Sequence, residues 1–193
     1  MVTNLQSRPF PFDTAHRFTI EEYHRLVEEG RLEEKPRSVE LLDGRIVPMS
    51  PIGPRHERVV FRLERAFISQ ERGRFETNKA TPLPIPDHDE PEPDLLLYRP
   101  GAAGEEHHVQ PADVFLVVEV SQSSLGYDLG LKANLYQRAK IPEYWVVNLE
   151  HHRLHVFTLE GDRYHEVTRE RGSVSPRAFP DVTIDLDSLL GVH

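Results

Sequence analysis

At 193 residues, with 38% hydrophobic side chains and a net charge of −9, the chain suits one domain with a sizeable core and is too acidic for a simple nucleic-acid coat protein. The absence of cysteine excludes disulfides, zinc–thiolate sites and thiol nucleophiles. No apolar run approaches the ~18 residues of a membrane span, and the first residues lack the basic and apolar blocks of a signal peptide, so a cytoplasmic protein is expected.

Residues 1–18 show no periodicity and are expected to form a loosely held extension before one domain over 19–193. Thr19 and Glu22 have capping-box spacing. They predict a short helix with Tyr23, Leu26 and Val27 inward and Gly30 as its stop. Asp43-Gly44 separates the runs 38–42 and 45–49, a strong hairpin signal. Val59, Val60, Leu63 and Phe67 recur at helical spacing and predict an amphipathic helix over 54–72. Residues 74–82 should add a strand, and the stretch 82–93, dense in proline and acid, an extended loop. Strands follow at 94–98 and 113–121, then a second long helix at 129–139 and a strand at 143–147. Glu160-Gly161-Asp162 joins 153–159 to 163–168 in another hairpin, and an apolar segment at 182–184 precedes the tail. Strands before, between and after two long helices imply an α/β fold, a mixed sheet packed by helices.

The charge is uneven. Between 55 and 79 seven basic residues outnumber four glutamates, whereas between 80 and 130 ten acids face Arg99 alone. An enzyme that gathers cations in an acidic centre and touches a phosphate backbone with a basic helix would look like this; charge alone is better explained by a solvated helix face beside acidic loops.

Chemistry concentrates at two strand ends. Asp94 enters the apolar run 95–98, and Glu119 leaves the run 114–118. Such carboxylates can meet at one edge of a sheet, and a converging pair suits a hard divalent cation, which takes oxygen ligands and keeps several waters. Asp128, Lys132 and Tyr136 follow at i, i+4, i+8 on one helix face, where an ammonium could stabilise charge building on a phosphate. Each has a structural alternative. Asp94 could punctuate a strand edge, and a salt bridge could satisfy Glu119, which an apolar run would otherwise penalise. Asp128 and Lys132 could form a surface ion pair, and Tyr136 could pack in the core. Ser121 shares Glu119's face, where it could bond that carboxylate or a metal-bound water, or simply end the strand. Glu40, in isolation, reads as an exposed edge residue, and His56, opening the basic helix, as either a surface helix start or an imidazole that could receive a proton or contact a phosphate. The remaining histidines (His88, His107, His108, His151, His152) fit no metal-ligand spacing, and Tyr144 and Trp145 read as core.

One ordered series of segments spans residues 18–190: Glu40-Leu41-Leu42-Asp43-Gly44-Arg45-Ile46; Met49-Ser50-Pro51 with His56; Pro93-Asp94-Leu95; Glu119-Val120-Ser121; Asp128, Lys132 and Tyr136; and Ile141-Pro142-Glu143-Tyr144-Trp145. In this series the chain resembles the PD-(D/E)XK, or restriction-endonuclease-like, nucleases, and among them the Uma-type endonucleases. The resemblance implies a mixed central β-sheet flanked by helices, with N-terminal and C-terminal β-hairpin additions. It also implies Mg²⁺- or Mn²⁺-dependent hydrolysis of phosphodiester bonds in nucleic acid, DNA first. Asp94 and Glu119 would then hold the metal, Glu40 would be a third acidic site residue, and His56 would assist proton transfer. Ser121, Asp128 and Tyr136 would support the site, and Arg55, Arg58 and Arg62 would touch the nucleic-acid backbone. The family's usual lysine, two residues after the second carboxylate, is replaced by Ser121, so Lys132 from the following helix would take its role. That departure keeps two other readings open: a catalytically inactive nucleic-acid-binding or interaction module on the same fold, and a hydrolase of small phosphoesters. A homodimer would suit the cutting of both strands of a duplex, by analogy of fold.

Overall fold

The computed structural model describes residues 16–32, 39–105 and 107–191. Most of the expected N-terminal extension, and Ser38 of the first expected strand, lie outside them. Helix α1 (Ile20–Glu28) is closed by both capping-box bonds: the Glu22 N–H donates to Thr19 Oγ1 at 3.2 Å and the Thr19 N–H to Glu22 Oε2 at 3.0 Å. Tyr23 and Leu26 pack on Val39, Leu41 and Ile46 of the hairpin β1 (Val39–Leu42) and β2 (Arg45–Pro48). Its two-residue turn sets Asp43 at φ 51° and Gly44 at φ 70°, the left-handed pair that matches the twist of the flanking strands.

Helix α2 (Pro54–Ile68) buries Val59, Val60, Leu63 and Phe67 and ends four residues before its expected limit. Arg72 and Gly73, at φ 48° and 72°, turn the chain back toward the sheet. Strand β3 is confined to Glu76–Asn78 rather than 74–82. Ala80 takes φ 45° and Pro82 and Pro84 have no N–H to offer a ladder, so pairing stops there. The loop that follows lies along the first hairpin, with Leu41 and Glu90 exchanging backbone bonds of 2.7 and 3.3 Å.

With β4 (Leu95–Tyr98), β5 (Val114–Ser121), β6 (Glu143–Asn148), β7 (Arg153–Glu160) and β8 (Arg163–Arg169), β3 forms a six-stranded sheet in the order β3-β4-β5-β6-β7-β8. Every pair is antiparallel except β5–β6. That parallel pair requires a crossover, supplied by a continuous helix made of α3 (Leu125–Tyr127), a π-helical turn (Asp128–Lys132) and α4 (Ala133–Arg138). The C-terminal hairpin β7–β8 extends the sheet. Beyond it β9 (Ser173–Val174) pairs with β10 (Ile184–Asp185), and a short helix α5 (Leu186–Leu190), not foreseen from sequence, is capped by Asp185.

Both faces of the sheet are covered, which explains its near-continuous apolar strands. Leu95, Leu97, Leu116, Val118, Val120, Trp145 and Val147 pack with α2 and α5. Leu96, Tyr98, Val117, Tyr144 and Val146 pack with α4 through Leu135 and Tyr136. This is the mixed sheet with flanking helices that the sequence predicts.

Candidate active site

Strand pairing alone brings the two acids together. The register that joins Leu96 to Val117 and Leu95 to Val118, continued by one residue, sets Asp94 opposite Glu119. Period-two alternation places both on the α4 side of the sheet, with Leu96 and Val117. Asp94 Oδ2 accepts the Val120 N–H at 2.7 Å and lies 3.0 Å from His56 Nε2, in the first turn of α2. His56 Nδ1 is buried with no hydrogen-bond partner among the described residues. Burial alone would depress the His56 pKa, but the bond to Asp94 and the charge of that carboxylate outweigh it and hold the value above normal.

Glu119 is only 4% exposed. Its Oε1 accepts from Lys132 Nζ and from the Tyr136 hydroxyl, both at 3.0 Å. Lys132, 5% exposed, also stands 3.0 Å from Oε2 of Glu40, and that oxygen accepts the Glu92 N–H at 3.2 Å. Lys132 therefore bridges two buried acids and is no surface partner of Asp128. Burial raises the Glu119 pKa well above the ordinary carboxylate range, with Lys132 opposing the shift and Asp94, Asp128 and Glu40 adding to it. Burial would lower the Lys132 pKa, but Glu119 and Glu40 more than compensate, so the ammonium persists beyond the usual lysine range. Glu40, expected at an exposed edge if read in isolation, is buried because the loop after β3 covers β1.

The π turn carries Asp128 and Lys132 inward together. It is closed by the Ala133 N–H donating to the Asp128 carbonyl, which also accepts the Tyr144 hydroxyl at 3.2 Å. Asp128 Oδ2 accepts from Ser124 Oγ at 2.7 Å, and that hydroxyl lies 3.3 Å from Ser121 Oγ. Burial lifts the Asp128 pKa, with Lys132 and the two serines opposing. Ser121 is fully buried, and its hydroxyl meets Ser124 in this chain rather than bonding the Glu119 carboxylate that the sequence offered it.

These side chains meet at a cavity of about 130 Å³, lined by Glu40, Glu92, Asp94, Glu119 and Asp128 together with His56 and Lys132. Five carboxylates against two cationic groups leave an excess of negative charge that a divalent cation would relieve. Among the described residues no three histidine, aspartate or glutamate side chains form a ready-made cage. Mg²⁺ needs only one or two carboxylates and keeps its waters. Asp94 and Glu119 each engage one oxygen in the bonds above and leave the other, Oδ1 and Oε2, without a hydrogen bond from the described residues. The donor set therefore fits a hydrated hard cation.

Arg55, Arg58 and Arg62 lie outside this cavity on the exposed face of α2. Arg55 contacts His152 at 2.6 Å, and Arg62 donates to the Ser188 carbonyl at 3.0 Å. Sequence reasoning missed Glu92, Gln122, Ser123, Ser124 and Tyr127 in the lining. The one available signal was the polar run Gln122-Ser123-Ser124 directly after the Glu119 strand.

A mixed sheet flanked by helices, with acidic residues at adjacent strand ends, defines the restriction-endonuclease-like nuclease fold. The chain belongs to the Uma2 family, described as "Putative restriction endonuclease", which matches residues 20–187. Among solved structures it is similar to one described as a "putative nuclease belonging to DUF820" from Anabaena variabilis ATCC 29413. The two share 12% identity, with 90% of this chain and 98% of that chain covered and a TM-score of 0.71, a likeness of fold. No curated protein matches the sequence. Among the described residues no helix is long and apolar enough to cross a membrane.

Proposed function

We propose that this chain is an endonuclease that hydrolyses phosphodiester bonds of DNA with Mg²⁺ or Mn²⁺. The observation that carries the reading is the cross-strand pair Asp94 and Glu119 beside the buried ammonium of Lys132, in one cavity with excess negative charge. Asp94 and Glu119 would hold the cation, helped by the backbone carbonyl of Val120. When bound, it would lower the pKa of a water and neutralise phosphoryl oxygens.

The side chains supply the rest. Lys132 keeps its proton at neutral pH, so its role is electrostatic: it presents fixed positive charge to a phosphoryl group whose charge grows in the transition state. Glu40, 3.0 Å from the same ammonium, helps Glu119 to fix its position. His56, whose protonated form Asp94 favours, would pass a proton to the leaving oxygen. Tyr136 and the chain Ser121–Ser124–Asp128 lock the acids in place. Arg55, Arg58 and Arg62 follow the phosphate backbone along α2, and a homodimer would provide a second site for the opposite strand.

The test is cleavage of plasmid, linear and single-stranded DNA and of RNA with Mg²⁺, Mn²⁺ or EDTA, comparing wild type with Asp94→Ala and Glu119→Ala. Metal-dependent cutting lost in both folded variants is the expected result. Equal traces of cutting in all three proteins would reject the assignment and leave a non-catalytic nucleic-acid-binding module on the same fold.

A further inference from the structure

The reacting groups are recessed, and the rim mixes apolar and polar side chains. Glu119 and Lys132 are almost inaccessible from outside, and the cavity that reaches them measures about 130 Å³. With the acids and the ammonium at its buried end, a phosphate reaches them more readily than a stacked base pair does. Two large side chains of its lining, one aliphatic and one aromatic, stay open to solvent. Ile52, in the loop that enters α2, and Tyr127, at the end of α3, are each 54% exposed. Among the described residues Tyr127 stacks on no other ring and its hydroxyl makes no hydrogen bond, although every other tyrosine of the central sheet and its helix is buried or bonded. An aromatic ring left free at the mouth of a charged cavity presents a π-face, and every nucleobase has a matching one. A protein of net charge −9 also cannot rely on phosphate attraction alone for affinity.

Resting on the nuclease reading above, we infer that this site takes a strand whose nucleotide at the scissile position is unpaired, its base stacked on Tyr127 and bordered by Ile52. Tyr127 is then a positioning residue. It holds the splayed base so that the attached phosphate descends to Asp94, Glu119 and Lys132. Single strands, bulges and frayed ends satisfy this geometry, and an intact duplex has first to be opened, at the cost of unstacking.

The experiment uses one sequence in three forms: single strand, perfect duplex and duplex with a central unpaired bulge, each cleaved with Mg²⁺ by wild type, Tyr127→Ala, Tyr127→Phe and Ile52→Ala. Wild type should favour the single strand and the bulge over the duplex by roughly tenfold or more in kcat/KM. Tyr127→Ala should raise KM on the unpaired substrates by roughly ten- to a hundredfold, the span of one lost base–aromatic stack, with kcat little changed. Tyr127→Phe should behave as wild type, and Ile52→Ala should fall between. A binding readout accompanies it: a single strand carrying 2-aminopurine should lose fluorescence on wild type in EDTA but not on Tyr127→Ala. If the duplex is cut as fast as the single strand and Tyr127→Ala changes nothing while Asp94→Ala is dead, the inference is overturned and the nuclease reading stands. A Tyr127→Phe variant as impaired as the alanine would also overturn it, because the ring would then not be what counts. If wild type cuts no substrate in any metal, the nuclease reading fails and this inference fails with it.

Discussion

Removing the ammonium from the acid pair is the sharpest perturbation available. In Lys132→Met the side chain keeps most of its volume but leaves Glu119 and Glu40, both nearly buried, facing each other without a counter-charge. Breaking a buried ion pair from one side costs ~3–5 kcal/mol, a large share of the ~5–15 kcal/mol that holds a domain of this kind together. The loss should depend on pH, and its sign follows from the Glu119 carboxyl. Burial already raises that pKa above 4.5, and without Lys132 it rises further. The folded variant then binds a proton that the unfolded chain has released, so its stability falls as pH rises from about 4.5 through the raised value. The gap between wild type and variant should therefore be widest at neutral pH and close as pH falls toward 4.5. The assay is urea unfolding followed by fluorescence of Trp145, the only tryptophan, which is fully buried. A loss under about 1 kcal/mol, the size of an exposed pair, or a gap that does not vary with pH, would refute the view that Lys132 compensates buried charge.

Two further results are expected. His56 should titrate above 6.5 by NMR in wild type because of Asp94, and lower in Asp94→Asn, where only the charges of Asp128 and Glu57 still oppose burial. The stability this pair contributes is present below pH 6.5 and lost as pH rises through the folded value, a slope that Asp94→Asn should lack. Tyr136→Phe removes one of the two donors to Glu119 and should cost ~1.5–3 kcal/mol in a urea melt, as for a hydrogen bond to a charged group. It should also move the acidic limb of a cleavage–pH profile upward, because the carboxylate loses a donor that favoured its charged form. An unmoved limb would separate Tyr136 from the chemistry.

Much of the fold and several of the converging residues were legible because local rules and tertiary demands agree there. Asp43-Gly44 could be read as a turn since only a left-handed pair closes that hairpin. Asp94 and Glu119 stood out because acids at the ends of buried runs must be compensated. Glu40 was harder, since alternation gives its face but not what covers that face: Val39 and Leu41 pack on α1, while Glu40 turns toward the cavity under the loop that pairs at Glu90. The crossover helix begins at Leu125, earlier than the expected 129, because serines and glycines weaken the local signal and tertiary contacts supply it. Those contacts are Ser124 to Asp128, Tyr144 to the Asp128 carbonyl, and Leu125 and Leu129 against the core. Tyr127 carried no sequence signal, because exposure at a rim is a property of the assembled surface.

The π turn makes the crossover helix a part with fixed length. Its i to i+5 bond accommodates one residue more than a regular turn, and Asp128 and Lys132, its first and last residues, are both buried. Deleting Gly130 or Leu131 would move Lys132 from four residues after Asp128 to three and shift the two side chains relative to each other along the axis by about 1.5 Å. Surface loops of this protein can change length over evolutionary time at little cost. This stretch has no such freedom, because both of its end residues line the cavity.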